Sequence, residues 1–350
     1  MGIMKEYRLS EVEHVKINGR TTDCLEPLTL FWTASGFEVN AKGSELWVEV
    51  EAGFDLYEPW FSFLINGAYV SKQMAVKGRS RICLFRGMNP AEVKHVKFVR
   101  DIQAMHGDPE SYLQVHGFLF DGEFLPVSEK SCRIEFIGDS ITSGEGTYGA
   151  RCEMDWVSMF FSGVNNYAAY TAEALNADFR ILSQSGWGVL CSWDGRKEYS
   201  IPRYYEKVCG LLTGEHNREL GAYAEYDFTK WQPDVVVVNL GTNDASALSR
   251  AELSFSEDDF EEAAVGFLKK LRRCNPKAQI VWAYGMLGYE MNAPICRAID
   301  AYRIGTGDEK VHFLGLPAAT QKTIGSREHP GRENHKIAAE VLAEYLRKEM

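Results

Sequence analysis

Apolar positions change their period along the chain. Between residues 28 and 100 they gather in short runs, 28–32, 45–50, 60–65, 80–85 and 93–99, and the breaks carry Gly36, Gly43, Gly53, Gly67, Gly78 and Gly87. Asn66-Gly67 suits a tight hairpin turn, because both residues tolerate positive φ. Short strands at regular spacing, with little helical periodicity, predict an all-β sandwich or jelly roll. The polar stretch 121–131 contains Pro126, and a domain boundary is placed there: 1–126 as the β domain, 127–350 as a second domain.

Beyond the boundary, apolar strands alternate with amphipathic helices. Residues 132–137, 179–182, 234–240 (with four consecutive valines), 280–284 and 311–314 read as strands. Tyr167, Tyr170, Thr171 and Leu175 fall at helical spacing. Ser256 and Asp259 have the spacing of a capping box that opens a helix running to about Arg273. Ile337, Ala338, Val341, Leu342 and Tyr345 give the closing helix one apolar face. This alternation predicts a doubly wound parallel sheet of flavodoxin-like α/β type, covered on both faces. Residues 191–231 show no regular pattern.

Composition narrows the function. The 350 residues are 45% hydrophobic and 25% charged, an ordinary globular balance. A formal charge of −11 disfavours a broad grip on nucleic acid or anionic lipid, and neutral substrates suit such a surface. No apolar stretch approaches the ~20 residues that span a bilayer. The N-terminal residues lack the pattern of a signal peptide, and eight scattered cysteines without a Cys-x-x-Cys pair suit free thiols in a reducing compartment. A cytoplasmic location is therefore expected. The histidines, among them His14, His95, His106, His116, His216, His312 and His335, form no metal-ligand spacing, and neither metal nor organic cofactor is expected.

Three strand exits carry chemistry, and in doubly wound sheets sites collect at the carboxyl ends of strands. Ser140 follows the strand 132–137 in Ile137-Gly-Asp-Ser-Ile-Thr. Asn243 ends the valine strand in Asn239-Leu-Gly-Thr-Asn-Asp, where its amide suits donation to an oxyanion. His329 precedes the last helix and suits a general base. Singly, each has a plainer role: a helix N-cap for Ser140, a turn for Asn243, a structural histidine for His329.

The order Ser, glycine-bearing loop, Asn, His, each after a different strand, resembles the SGNH (GDS-type) hydrolases from about Cys132 onward. The glycine block is Ser183-Gln-Ser-Gly-Trp-Gly, with Ser183 where that superfamily usually has Asn. Its oxyanion glycine would be Gly188, with Gly186 as the alternative. Nearly the whole chain is similar to carbohydrate-esterase family two. A sandwich runs through Val115-His-Gly-Phe-Leu-Phe-Asp-Gly into Arg133-Ile-Glu-Phe-Ile-Gly-Asp-Ser-Ile-Thr-Ser-Gly-Glu-Gly, and Ser185-Gly-Trp-Gly follows. That family joins a jelly roll to an SGNH domain and deacetylates xylan, mannan or related glycans.

The resemblance implies a serine esterase acting on acetylated oligosaccharides or small acetyl esters, with Ser140, His329, Gly188 and Asn243 as its site. It departs from the superfamily where the triad acid belongs: Ser326 and Arg327 stand three and two residues before His329. A backbone carbonyl is expected to orient the imidazole, giving a Ser-His dyad, in preference to the adjacent Glu328. A lipid-like or thioester acyl hydrolase, or a non-catalytic carbohydrate-binding protein, are the competing readings. Trp187 is divided between substrate wall and packing, while Trp32, Trp47, Trp60 and Trp193 are expected to pack.

Overall fold

A computed structural model describes residues 3–349, which divide into two compact units. The first runs to Glu129 and includes Lys207–Glu225; the second comprises Lys130–Glu206 and the chain from Tyr226 onward.

The first unit contains two antiparallel sheets. One orders Lys5–Arg8, Tyr112–Phe120, Glu45–Gly53 and Gly78–Arg86, with Leu28–Thr29 also paired to Tyr112–Phe120. The other orders Glu123–Leu125, Gly36–Lys42, Val93–Arg100, Trp60–Ile65 and Ala68–Met74, with Lys16–Asn18 on Gly36–Lys42. Along Glu45–Gly53 burial alternates, so Leu46, Val48, Val50 and Ala52 face inward as the two-residue period of a strand requires. They join a core in which the rings of Phe37 and Phe61 each stack on Phe98, at 5.3 and 4.9 Å between centroids. Asn66 and Gly67, at φ 52° and 80°, form the two-residue turn between paired Ile65 and Ala68. Trp32 is buried, and its indole N–H donates to the Val208 carbonyl at 2.7 Å. Trp47 and Trp60 are half-buried.

The sequence boundary places 127–350 in one domain, but Lys207–Glu225 groups with the first unit. Val208, Cys209, Leu211 and Leu212 are buried there, and the Asn217 amide donates to the Pro109 carbonyl at 2.8 Å. An excursion of apolar residues held by such tertiary contacts has no periodicity of its own, which is why the stretch looked irregular.

The second unit is a parallel sheet of five strands in the order Ala177–Ser183, Cys132–Gly138, Val235–Asn239, Gln279–Tyr284, Val311–Gly315. Numbered along the chain this is 2-1-3-4-5, the flavodoxin-like order, whose switch point lies between strands one and three. Ser140 leaves the first of those strands and Asn243 the second. All four valines of Val235–Asn239 are fully buried, as expected of a central strand covered on both faces. Helix Glu257–Cys274 opens with the anticipated capping box of Ser256 and Asp259. Helix Asn292–Thr306, with Pro294 in its first turn, was not anticipated.

The closing helix Arg332–Glu349 buries His335, whose Nδ1 accepts from the Tyr167 N–H at 3.2 Å. Burial, reinforced by the nearby charge of His329, lowers its pKa to about 3. Between that value and the ordinary histidine value of about 6.5, the unfolded chain binds a proton that the folded chain refuses. His335 therefore contributes stability above pH 6.5 and loses it as the pH falls toward 3. The unfolding free energy of a His335→Gln variant should fall short of the parent's at pH 7.5, and the shortfall should shrink by pH 4.5. A shortfall independent of pH, measured by urea denaturation, would contradict this assignment.

Candidate active site

Gly138 ends its strand in space too small for a side chain: a Cβ there would lie 2.0 Å from Thr142 Oγ1. The turn that follows is capped by Asp139, whose Oδ1 accepts from the Ile141 N–H at 3.0 Å. Ser140 thus begins a four-residue helix, and its own N–H, in a first turn with no earlier carbonyl to bond, has no acceptor among the described residues. Ser143 Oγ donates to Ser183 Oγ at 2.8 Å, tying this turn to the end of the neighbouring strand.

His329 meets this turn from the segment ahead of the last helix. Its Nε2 lies 2.9 Å from Ser140 Oγ, and its Nδ1 lies 2.7 Å from the Arg327 carbonyl. A carbonyl only accepts, so Nδ1 carries the proton and Nε2 presents its lone pair to the serine hydroxyl. Arg327 and Glu328 both adopt left-handed φ, 52° and 57°, a conformation that costs a residue with a Cβ and turns the Arg327 carbonyl back toward the ring. Ser326 bonds the Tyr148 carbonyl at 2.9 Å instead of the imidazole. Glu328 is exposed and makes no bond to it.

The glycine block corrects one expectation. The Gly188 N–H already donates to the Cys191 carbonyl at 2.9 Å, so it is not available to an oxyanion. Gly188 is needed for packing: a Cβ would lie 2.3 Å from Asp244 Oδ2. The Asp244 carboxylate accepts from the N–H groups of Val189 and Leu190, at 2.9 and 2.8 Å, and fixes this loop. Burial raises its pKa to about 6, against the pull of those backbone donors. Gly186, at φ 80°, retains an N–H with no acceptor among the described residues, so within this block it is the one left open.

Asn243 directs its amide N–H groups to Asp139 Oδ2 at 3.2 Å and to the Trp187 carbonyl at 3.0 Å. It bridges the serine turn and the glycine loop, and donation to an oxyanion requires it to exchange one of these partners. Asp139 is at the longer of the two distances. Burial, with smaller contributions from the charges of Asp244 and Glu145, raises its pKa to about 7.

Trp187 is buried against Tyr199, ring on ring at 5.2 Å, so packing claims it. Trp193, expected to pack, is instead 49% exposed, with the Arg250 guanidinium over its ring at 4.6 Å. A Cβ on Gly186 would lie 3.0 Å from the Trp193 ring, which sets the open indole beside the glycine block. Among the described residues no three His, Cys, Asp or Glu side chains are grouped to hold a metal ion.

The hydroxyl, the imidazole and the open N–H groups of Ser140 and Gly186 are groups of the kinds that acyl transfer uses. Residues 136–344 match the GDSL-like Lipase/Acylhydrolase family. The structure is similar to that of an acetyl xylan esterase (Est2A) from the rumen bacterium Butyrivibrio proteoclasticus. The two share 43% identity at a TM-score of 0.96, over 99% of this chain and 98% of the other. A family two carbohydrate esterase from Clostridium thermocellum, solved in complex with cellohexaose, is similar at a TM-score of 0.82 and 27% identity, over 96% and 98% of the two chains. In sequence, Cellulase/esterase CelE of Acetivibrio thermocellus is 28% identical over 335 residues, covering 91% of this chain but only 37% of CelE. This chain therefore spans little more than a third of that relative's length.

Proposed function

The chain belongs to the GDSL-like lipase/acylhydrolase family, and from that premise we propose that it is a serine esterase removing O-acetyl groups from carbohydrate: xylan, mannan or oligosaccharides derived from them. The observation that carries the chemistry is the 2.9 Å contact between Ser140 Oγ and His329 Nε2, with Nδ1–H fixed on a carbonyl. The similarity to Est2A, named an acetyl xylan esterase, supports the substrate class.

In the reaction, His329 Nε2 takes the hydroxyl proton as Ser140 Oγ bonds to the ester carbonyl carbon. The N–H groups of Ser140 and Gly186, and the Asn243 amide once released from a present partner, receive the developing oxyanion. One such donor is typically worth about 3–4 kcal/mol in the transition state. The imidazolium returns its proton to the sugar oxygen as that bond breaks. A water, deprotonated by the same nitrogen, then releases acetate and restores Ser140. The backbone carbonyl keeps Nδ1 protonated throughout, so the ring works in one tautomer. Glu328 has no part in this, and Glu328→Gln should keep kcat/KM on p-nitrophenyl acetate within about twofold of the parent; a loss beyond tenfold would make Glu328 the orienting acid.

Trp193, open beside the glycine block, offers an indole face on which a pyranose ring stacks. We read the sandwich as a jelly roll. A reducing, cytoplasmic setting is supported by eight unpaired cysteines, and the charge of −11 weighs against nucleic-acid or membrane partners. The test is acetate release from acetylated xylan, acetylated glucomannan and simple acetylated sugars, with Ser140→Ala as control. Turnover of these, and of p-nitrophenyl acetate over the octanoate, is expected. A preference for octanoate without acetate release from any glycan would replace this reading with a lipid-type acyl hydrolase.

A further inference from the structure

The dyad leaves one task unassigned. In a Ser-His-Asp triad the carboxylate both fixes the imidazole and offsets the positive charge it acquires. The Arg327 carbonyl holds Nδ1–H, but it is uncharged and serves only the first task.

A buried carboxylate lies on the other side of the ring. Glu145, in Ser143-Gly-Glu-Gly, has a side chain 3% exposed, and its Oε2 is 3.8 Å from His329 Nε2. The same oxygen accepts from Ser185 Oγ at 2.8 Å, and Oε1 accepts from Arg327 Nε at 2.9 Å. Left-handed glycines on either side deliver it, Gly144 at φ 76° and Gly146 at φ 78°. At Gly146 the approach is close: a Cβ would lie 2.5 Å from His329 Cβ and 2.7 Å from the Ser326 carbonyl oxygen.

We propose that Glu145 is a positioning residue that divides the triad acid's work with Arg327: its carboxylate offsets the imidazolium charge from the Nε2 side, and its pair with the Arg327 side chain holds the backbone whose carbonyl orients the ring. The proposal rests on the esterase reading. It accounts for a buried carboxylate that needs a partner, and for two left-handed residues in the histidine loop. Of the other ionisable groups nearby, one tempers the effect. The Arg327 guanidinium opposes it, the Asp139 carboxyl interacts with Glu145, Asp244 lies beyond Asp139, and His335 is neutral. Glu153 turns its carboxylate to the N–H groups of Met154 and Asp155.

The test is Glu145→Gln, which keeps size and an amide oxygen and removes the charge. The His329 ring is followed by carbon-13 NMR titration of the whole protein, its signal assigned by loss in His329→Ala. The titration midpoint should fall by about one pH unit. On p-nitrophenyl acetate kcat should fall roughly ten- to a hundredfold with KM within about twofold, and the acid limb of the rate profile should move to lower pH. Glu145→Asp, which withdraws the carboxylate by one methylene, should restore part of the midpoint, and it replaces the glutamine variant should that not fold. An unchanged midpoint would overturn the proposal even if activity fell, since lost packing alone gives that result. A parent that hydrolyses no ester would instead sink the esterase reading, while the midpoint still decides the role of Glu145.

Discussion

Replacing Ser140 by alanine should lower kcat on acetyl esters by roughly four to six orders of magnitude, with the thermal midpoint within a few degrees of the parent. In the proposed reaction the oxygen removed is the atom that bonds to the acyl carbon, and its partner in the structure is His329 Nε2. Ser140 is small and its backbone bonds survive: Glu145 N–H still donates to the Ser140 carbonyl, and the Asp139 cap acts on Ile141. Any residual rate comes from the N–H donors, which alanine keeps at position 140. A parallel fall in stability and activity would mean that the serine's part is structural.

His329→Ala should cost as much, for a different reason. It leaves a nucleophile with no acceptor for its proton, and a departing sugar oxygen with no donor. The loop should hold, because the Gly325 N–H bonds the backbone carbonyl of residue 329 at 2.7 Å and needs no imidazole. The two side chains act on one proton, so the double variant should be no slower than either single one. Multiplying losses in the double variant, measured as kcat on p-nitrophenyl acetate, would show that the two act independently.

The strands and the sharp turns at their exits were legible in the sequence because each is local. Four valines in a row require a sheet core, and Gly138-Asp139-Ser140 requires a sharp turn. The alternation of strands and helices gave the doubly wound sheet, although helix Asn292–Thr306 was passed over. What escaped notice depends on contacts between distant segments. Gly186 and Gly188 look alike in Ser185-Gly-Trp-Gly, and only the pairing of Gly188 with Cys191, fixed by Asp244 from another strand exit, separates them. A serine and an arginine where an acid was wanted suggested a backbone carbonyl, yet no residue letter records that Arg327 is left-handed. Glu145 is not singled out by the sequence because its partners, Ser185 and Arg327, lie 40 and 182 residues away. Its flanking glycines were the available sign.

Trp193 follows the same rule. An indole reads as core by its residue type alone, and its exposure depends on which loop covers it. Lys207–Glu225 failed to read as a unit because its buried residues answer to the first unit's surface rather than to a repeat of their own.

The central claim is that Ser140 is a nucleophile activated by His329, and covalent capture tests it most directly. The protein is treated with a fluorophosphonate and the modified peptide is identified by mass spectrometry. One adduct per chain is expected, on the peptide containing Ser140, forming at least a hundredfold more slowly in His329→Ala. No adduct, an adduct on another serine, or labelling that does not depend on His329 would contradict the account.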